Sequence, residues 1–157
     1  LEAQIREAGL DNVVLPGFTE RPLEFLASQH LYLQPSRSEG LCIAAHQAMQ
    51  AGLPVLASAV GELPFSIIPG VTGQAVPPDR PDQLATALAR LLSRPERLAA
   101  MGRTARSWAL AQFGADAFHD TGADILRRIE RLTCDFDLQR RSRAAPSNGK
   151  SFAGESP

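Results

Sequence analysis

The sequence predicts an α/β protein: an open parallel sheet flanked by helices. Three observations predict it. Short apolar runs alternate with stretches of helical period. The links between them are short and marked by proline and glycine. Consecutive strands separated by helices pair in parallel, since each helix carries the chain back along the sheet. At 157 residues the chain is one domain's worth.

Leu1–Gly9 reads as the last two turns of an amphipathic helix with its glycine cap, so the chain is expected to be a fragment starting inside a helix. Val13-Val14-Leu15 is a short buried strand, ended by Pro16-Gly17. Thr19 is placed to cap a helix from Pro22 to Gln29, with proline at a permitted early position. Leu31-Tyr32-Leu33 is the next strand, stopped by Pro35. A helix from Leu41 to Ala51 ends at Gly52, and Pro54–Ala57 forms a third strand. A turn-rich stretch through Gly61, Pro64, Pro69, Gly70 and Gly73 leads to an edge strand at Gln74–Val76. Three helices follow: Asp82–Leu92 with Leu84, Ala87, Leu88 and Leu91 on one face, Pro95–Trp108, and Ala115–Leu132. From Asp135 the pattern fails, and residues 135–157 are expected to be a disordered tail.

Hydrophobic content is 44% and net charge −1, so no global field recruits nucleic acid or a membrane surface. Basic charge is nearly all arginine, with Lys150 the single lysine. Cys42 and Cys134 are far apart and match no metal spacing, which fits a reduced cytoplasmic protein. No apolar run approaches the ~18 residues of a membrane span.

The most informative stretch is Pro35-Ser36-Arg37-Ser38-Glu39-Gly40-Leu41-Cys42-Ile43, continuing through Ala48-Met49-Gln50-Ala51-Gly52-Leu53-Pro54-Val55. It reads as strand end, loop, helix and strand. A helix N-terminus offers unpaired N–H groups and the positive end of a dipole, which suit a phosphate. Glu39 stands beside that point and would repel phosphate, so neutral sugar hydroxyls are its natural partner. Gln47 follows after about eight residues, a helical span of ~12 Å, the reach of a sugar–diphosphate–ribose unit.

These residues resemble the donor-binding signature of retaining GT-B glycosyltransferases, above all the family-4 group. The likeness runs on through Val60-Gly61, Gly70-Val71-Thr72-Gly73 and Val76-Pro77-Pro78, and covers residues 1 to about 130. It implies the Rossmann-like C-terminal half of a GT-B fold, with residues 1–134 a partial nucleotide-sugar-binding domain whose first strands are missing. The strand at Val13 would then lie across a gap from the strand at Leu31.

The resemblance implies transfer of a sugar, with retention, from a nucleotide-diphosphate sugar to a glycan or lipid acceptor. The acceptor would bind a missing N-terminal domain, and this fragment alone would be inactive. Glu39 is the implied catalytic-site residue, accepting hydrogen bonds from donor-sugar hydroxyls. The backbone N–H groups of Gly40, Leu41 and Cys42 would face the diphosphate. Gln47 replaces the family's second glutamate, which takes the ribose diol. Gly17 and Phe18 would approach the base; the bland alternative is a Pro-Gly turn with a packed Phe18. No cofactor and no metal are expected, nor any nucleic-acid partner. The full-length protein would be cytoplasmic, at the inner face of the membrane as a peripheral protein. The family usually has Gly-Gly and then Pro-Glu where this chain has Gly61-Glu62-Leu63-Pro64-Phe65, and Phe65 is expected to pack in the core. The alternative function is a non-catalytic nucleotide-sugar-binding module.

Other candidates read more simply. His46, His30 and His119 are taken as satisfied side chains, and Cys42 as a small buried hydrophobe without a base partner. Asp135-Phe136-Asp137 spells a metal-binding Asp-x-Asp but follows a helix rather than a strand. Gly149-Lys150-Ser151 lacks the earlier glycine of a phosphate loop, Ala144 standing there. Arg37 is a loop arginine within reach of the signature, solvated or touching phosphate.

Overall fold

A computed structural model describes the backbone of residues 1–144 and side chains as far as Arg131. Residues Leu1–Phe113 form one compact unit, and a second begins at Gly114.

In the first unit, α1 (Glu2–Glu7) ends in Gly9 at φ +63°, with Gly9 N donating to Arg6 O and Leu10 N to Ile5 O. That pair of bonds closes the helix as the glycine cap predicts. Residues 13–15 do not form the expected strand. Val13, Val14 and Leu15 are exposed and have no ladder partner among the described residues. A three-residue run gains nothing from extension when its N–H and C=O groups find no neighbouring strand.

Helix α2 (Pro22–Ala27) begins at Pro22, but its N-cap is Arg21 and no side chain caps it. Thr19 Oγ1 accepts from Arg21 N at 3.2 Å, so Thr19 closes the turn before the helix rather than capping it. The sheet has three strands instead of four: β1 (Tyr32–Gln34), β2 (Val55–Ser58) and β3 (Gly73–Val76), in the order β1-β2-β3. All pairs are parallel, Tyr32 opposite Val55 and Val55 opposite Gly73.

Between β1 and β2 lies α3 (Ile43–Gln50), closed by Gly52 at φ +91° with Leu53 N donating to Ala48 O. Helix α4 (Leu63–Ser66) forms within the turn-rich stretch, started by Pro64. Helices α5 (Pro81–Leu92) and α6 (Pro95–Phe113) follow β3. In the second unit α7 runs Ala115–Ala144, past Asp135, where the sequence suggested a tail. The remaining tail residues, 145–157, with Gly149-Lys150-Ser151, lie outside the described residues, as do the side chains of Asp135 and Asp137.

The core forms around β2, which is buried at every residue as the middle strand of a parallel sheet must be. Val55 and Ala57, two apart and so on one face, pack with Ala45, Met49, Leu63, Ile67, Ala105 and Ala109. Burying a side chain of this kind contributes about 1.5–3 kcal/mol for Val, Leu or Met. Helix α6 lies hard against the end of α3: a Cβ on Gly102 would overlap the Gly52 carbonyl. Phe65 does not join this core. It is 78% exposed, because the short α4 turns Leu63 and Ser66 inward and Phe65 outward.

Candidate functional site

A parallel sheet brings the carboxyl ends of its strands to one pole, and the loops that leave them meet there. The loop after β1 carries Pro35–Cys42, that after β2 Ala59–Glu62, and that after β3 Pro77–Arg80. Glu62 N donates to Gly40 O at 3.0 Å, joining the first two loops. Gly61, at φ +57°, lies so close to the first loop that a Cβ would overlap the carbonyl oxygens of Glu39 and Gly40. Arg37 Nε pairs with Asp79 Oδ1 at 2.7 Å, joining the first and third. Between them opens a cavity of about 240 Å³ lined by Pro35, Arg37, Ser58, Val76, Pro77 and Asp79. Arg37 is therefore held by a carboxylate of the neighbouring loop.

Glu39 is half-buried and firmly placed. Its Oε1 accepts from Ser36 Oγ at 2.6 Å and from Gln34 Nε2 at 2.6 Å. Gln34 Nε2 also donates to Ser36 Oγ at 2.7 Å, and Tyr32 OH donates to Gln34 Oε1 at 2.6 Å. Tyr32 and Gln34 share a face of β1 by the strand period. The tyrosine fixes which end of the amide faces Glu39. The donors from Ser36 and Gln34 hold the Glu39 carboxyl below its usual range, with the Cys42 thiol adding a weaker bond. Glu39 is thus an ionised acceptor in a fixed orientation.

Cys42 is the N-cap of α3, at φ +54°, without a side-chain cap. A non-glycine residue in this left-handed region carries on the order of 1–3 kcal/mol of strain. The backbone N–H groups of Gly40, Leu41 and Cys42 donate to no protein group among the described residues. Burial pushes the Cys42 thiol up, away from the thiolate a nucleophile needs. The same cause raises Tyr32.

His46, one turn into α3, is buried, with Nε2 2.8 Å from Ser66 Oγ and its ring 4.3 Å from that of Phe113. Burial lowers its pKa, so it is a neutral packed side chain. Gln47 is half-buried on α3 and makes no side-chain hydrogen bond among the described residues. Gly17 takes φ +76°, and Phe18 beside it is 90% exposed, so neither the packed alternative for Phe18 nor a bond to the Glu39 loop is present. The sequence reading missed Gln34 and Tyr32. Their only signal is a polar residue and a tyrosine two apart at the end of a strand that enters the signature.

Among the described residues no group of three or more His, Cys, Asp or Glu is placed to hold a metal ion. No described helix is long and apolar enough to cross a membrane.

An open parallel sheet flanked by helices, with the loops leaving its strands gathered at the carboxyl pole, defines a Rossmann-like α/β domain. Residues 1–108 match the family described as glycosyl transferases group 1, and the chain belongs to that family. It is 35% identical over 106 residues to D-inositol 3-phosphate glycosyltransferase of Streptomyces griseus, a match covering 68% of this chain and 22% of that protein. Sucrose-phosphate synthase from Thermosynechococcus elongatus superposes with a TM-score of 0.73 at 29% identity, over 83% of this chain and 34% of that one. Anabaena HepE in complex with UDP superposes with a TM-score of 0.75 at 24% identity, over 81% and 35% of the two chains, a likeness of fold. The chain thus spans about a fifth to a third of the length of these relatives.

Proposed function

We propose that residues 1–134 are the donor-binding part of a retaining glycosyltransferase that uses a nucleotide-diphosphate sugar. The observation that carries this reading is Glu39, ionised and fixed by Gln34 and Ser36 where the loop from β1 enters α3. Glu39 accepts hydrogen bonds from the donor sugar and orients it. The N–H groups of Gly40, Leu41 and Cys42, which have no protein partner among the described residues, receive the diphosphate. As the bond from the anomeric carbon to the diphosphate breaks, charge grows on the leaving oxygens, and preoriented N–H donors stabilise it. Gln47 contacts the ribose, and Gly17 and Phe18 the base. The reading assigns no metal to any of these steps.

The full-length protein supplies an N-terminal domain for a glycan or lipid acceptor and works in the cytoplasm at the inner membrane face; this part alone does not turn over. The name of the inositol-phosphate relative, a glycosyltransferase, supports sugar transfer. Gln47, which trades the family's charge for an amide, favours a second reading, a nucleotide-sugar-binding module without catalysis.

A thermal-unfolding scan against UDP-, GDP- and ADP-sugars tests the donor site. At 100 times its Kd one donor should add about 2.7 kcal/mol of stability and so raise the midpoint, and should fail to do so in Glu39→Ala. A cooperative transition indifferent to every donor sinks the reading. Activity of the full-length protein then separates enzyme from module.

A further inference from the structure

Three arginines converge at the pole of the sheet opposite Glu39. Arg90 lies in the last turn of α5, Arg94 in the link to α6, and Arg97 in the first turn of α6. Together with Gly70 they line one cavity of about 260 Å³, floored by Leu98 and Met101. Gly70 precedes β3, and Pro77, which follows it, borders the cavity at the Arg37–Asp79 pair. Gln74 of β3 also lines the arginine cavity and Val76 the other, so the two linings come within two strand residues of each other, about 7 Å at about 3.3 Å per residue.

The two poles differ in charge. At the Glu39 pole Arg37 is paired with Asp79, and Arg80 with Asp82. Among the described residues neither Arg90, Arg94 nor Arg97 is in an ion pair, and no carboxylate lines their cavity. The negative end of α5 accounts for Arg90 and Arg94 near its terminus. It does not account for Arg97, which stands at the positive start of α6, where a cation is disfavoured. Its guanidinium Nη2 nonetheless lies 3.8 Å from where a Cβ on Gly70, another residue of the cavity lining, would stand. Three exposed arginines lining one concavity suit an acceptor with several charged oxygens, and phosphate matches a guanidinium bidentately.

We propose that the Arg90–Arg94–Arg97 cavity is a second anion site that takes a phosphate monoester or diphosphate group. The group comes from a soluble phosphorylated metabolite or from a phospholipid headgroup. The site is independent of the donor reading, since it shares no residue with the Glu39 loop.

The experiment is calorimetric titration of the full chain with inorganic pyrophosphate, beside co-sedimentation with phosphatidylglycerol and phosphatidylcholine vesicles. Wild type, Arg94→Gln/Arg97→Gln and Arg103→Gln/Arg106→Gln are compared, with circular dichroism as the check on folding. Loss of two charge-assisted contacts should weaken binding about tenfold or more in the first double variant. The second double variant, exposed arginines elsewhere on α6, should bind as wild type. Selective loss of pyrophosphate binding assigns a soluble ligand, and selective loss of phosphatidylglycerol binding assigns a headgroup. Equal binding by all variants, or no binding to either probe, overturns the proposal.

Discussion

Gln34 Nε2 donates to Glu39 Oε1 at 2.6 Å, so the last residue of β1 orients the carboxylate of the loop that follows. The amide is itself oriented by Tyr32, and Ser36 bridges it to the same oxygen. This arrangement turns a flexible glutamate into a fixed acceptor before any ligand arrives.

Replacing Gln34 by Leu removes one donor to Glu39 and leaves the strand. The Glu39 pKa should rise toward the ordinary carboxylate value, read by carboxyl NMR titration. Because the folded pKa is depressed, the stability that depends on it is present above the unfolded value and lost as pH falls through the folded one. The stability gap between wild type and Gln34→Leu should therefore be open at neutral pH and narrow in acid. A Glu39 titration identical in the two proteins would show that Ser36 alone sets the carboxylate.

Gly61→Ala should be strongly destabilising although it adds one methyl group. The position sits at φ +57°, and the new Cβ would press on the carbonyls of Glu39 and Gly40. Left-handed strain alone costs on the order of 1–3 kcal/mol, and relief of the overlap must move the Glu39 loop. A urea midpoint within a few tenths of a kcal/mol of wild type would contradict the close approach.

His46 gives the protein an acid-sensitive joint. Its folded pKa is lowered by burial, so the unfolded chain takes up the proton first. Stability should be full above the unfolded value of ~6.5 and decline as pH falls below it, levelling off under the folded pKa. Urea unfolding of wild type and His46→Gln between neutral and mildly acid pH checks the sign: the variant should lose this slope.

Gln47→Glu should tighten donor binding if the donor site is read correctly. A bond to a charged acceptor is worth about 1.5–3 kcal/mol against about 0.5–1.5 for a neutral one, a gain of about tenfold in affinity. Titration with the donor identified by thermal scanning would show it, and the gain should vanish for a ligand lacking the ribose diol.

The β1–α3–β2 unit was legible because several signals agree there: a proline stop at Pro35, a helix expected from Leu41 and found from Ile43, a glycine cap at Gly52 and a buried run at Val55. Val13–Leu15 carries the same strand signal, yet extended backbone needs a ladder partner, which local sequence does not report. Phe65 misled for a related reason: hydrophobicity says that a side chain prefers burial, while the two-residue offset from Leu63 decides that it faces out. Glu39 stood out through its motif. Its anchor Gln34 did not, because a hydrogen bond across the end of a strand leaves no periodic trace. Gly61 was visible as a turn, but its contact with the Glu39 loop is a meeting of two loops distant in sequence.

The stacking of Phe113 on His46 ties the last residue of the first unit to the helix that opens at the Glu39 loop. Taken mechanically, that ring pair is an anchor bolt. A pull on the chain from Gly114 onward loads α6, whose Phe113 bears on His46 of α3 and whose Ala105 and Ala109 bear on β2. Tension at the boundary would therefore be shared between the helix that opens at the carboxylate loop and the middle strand of the sheet.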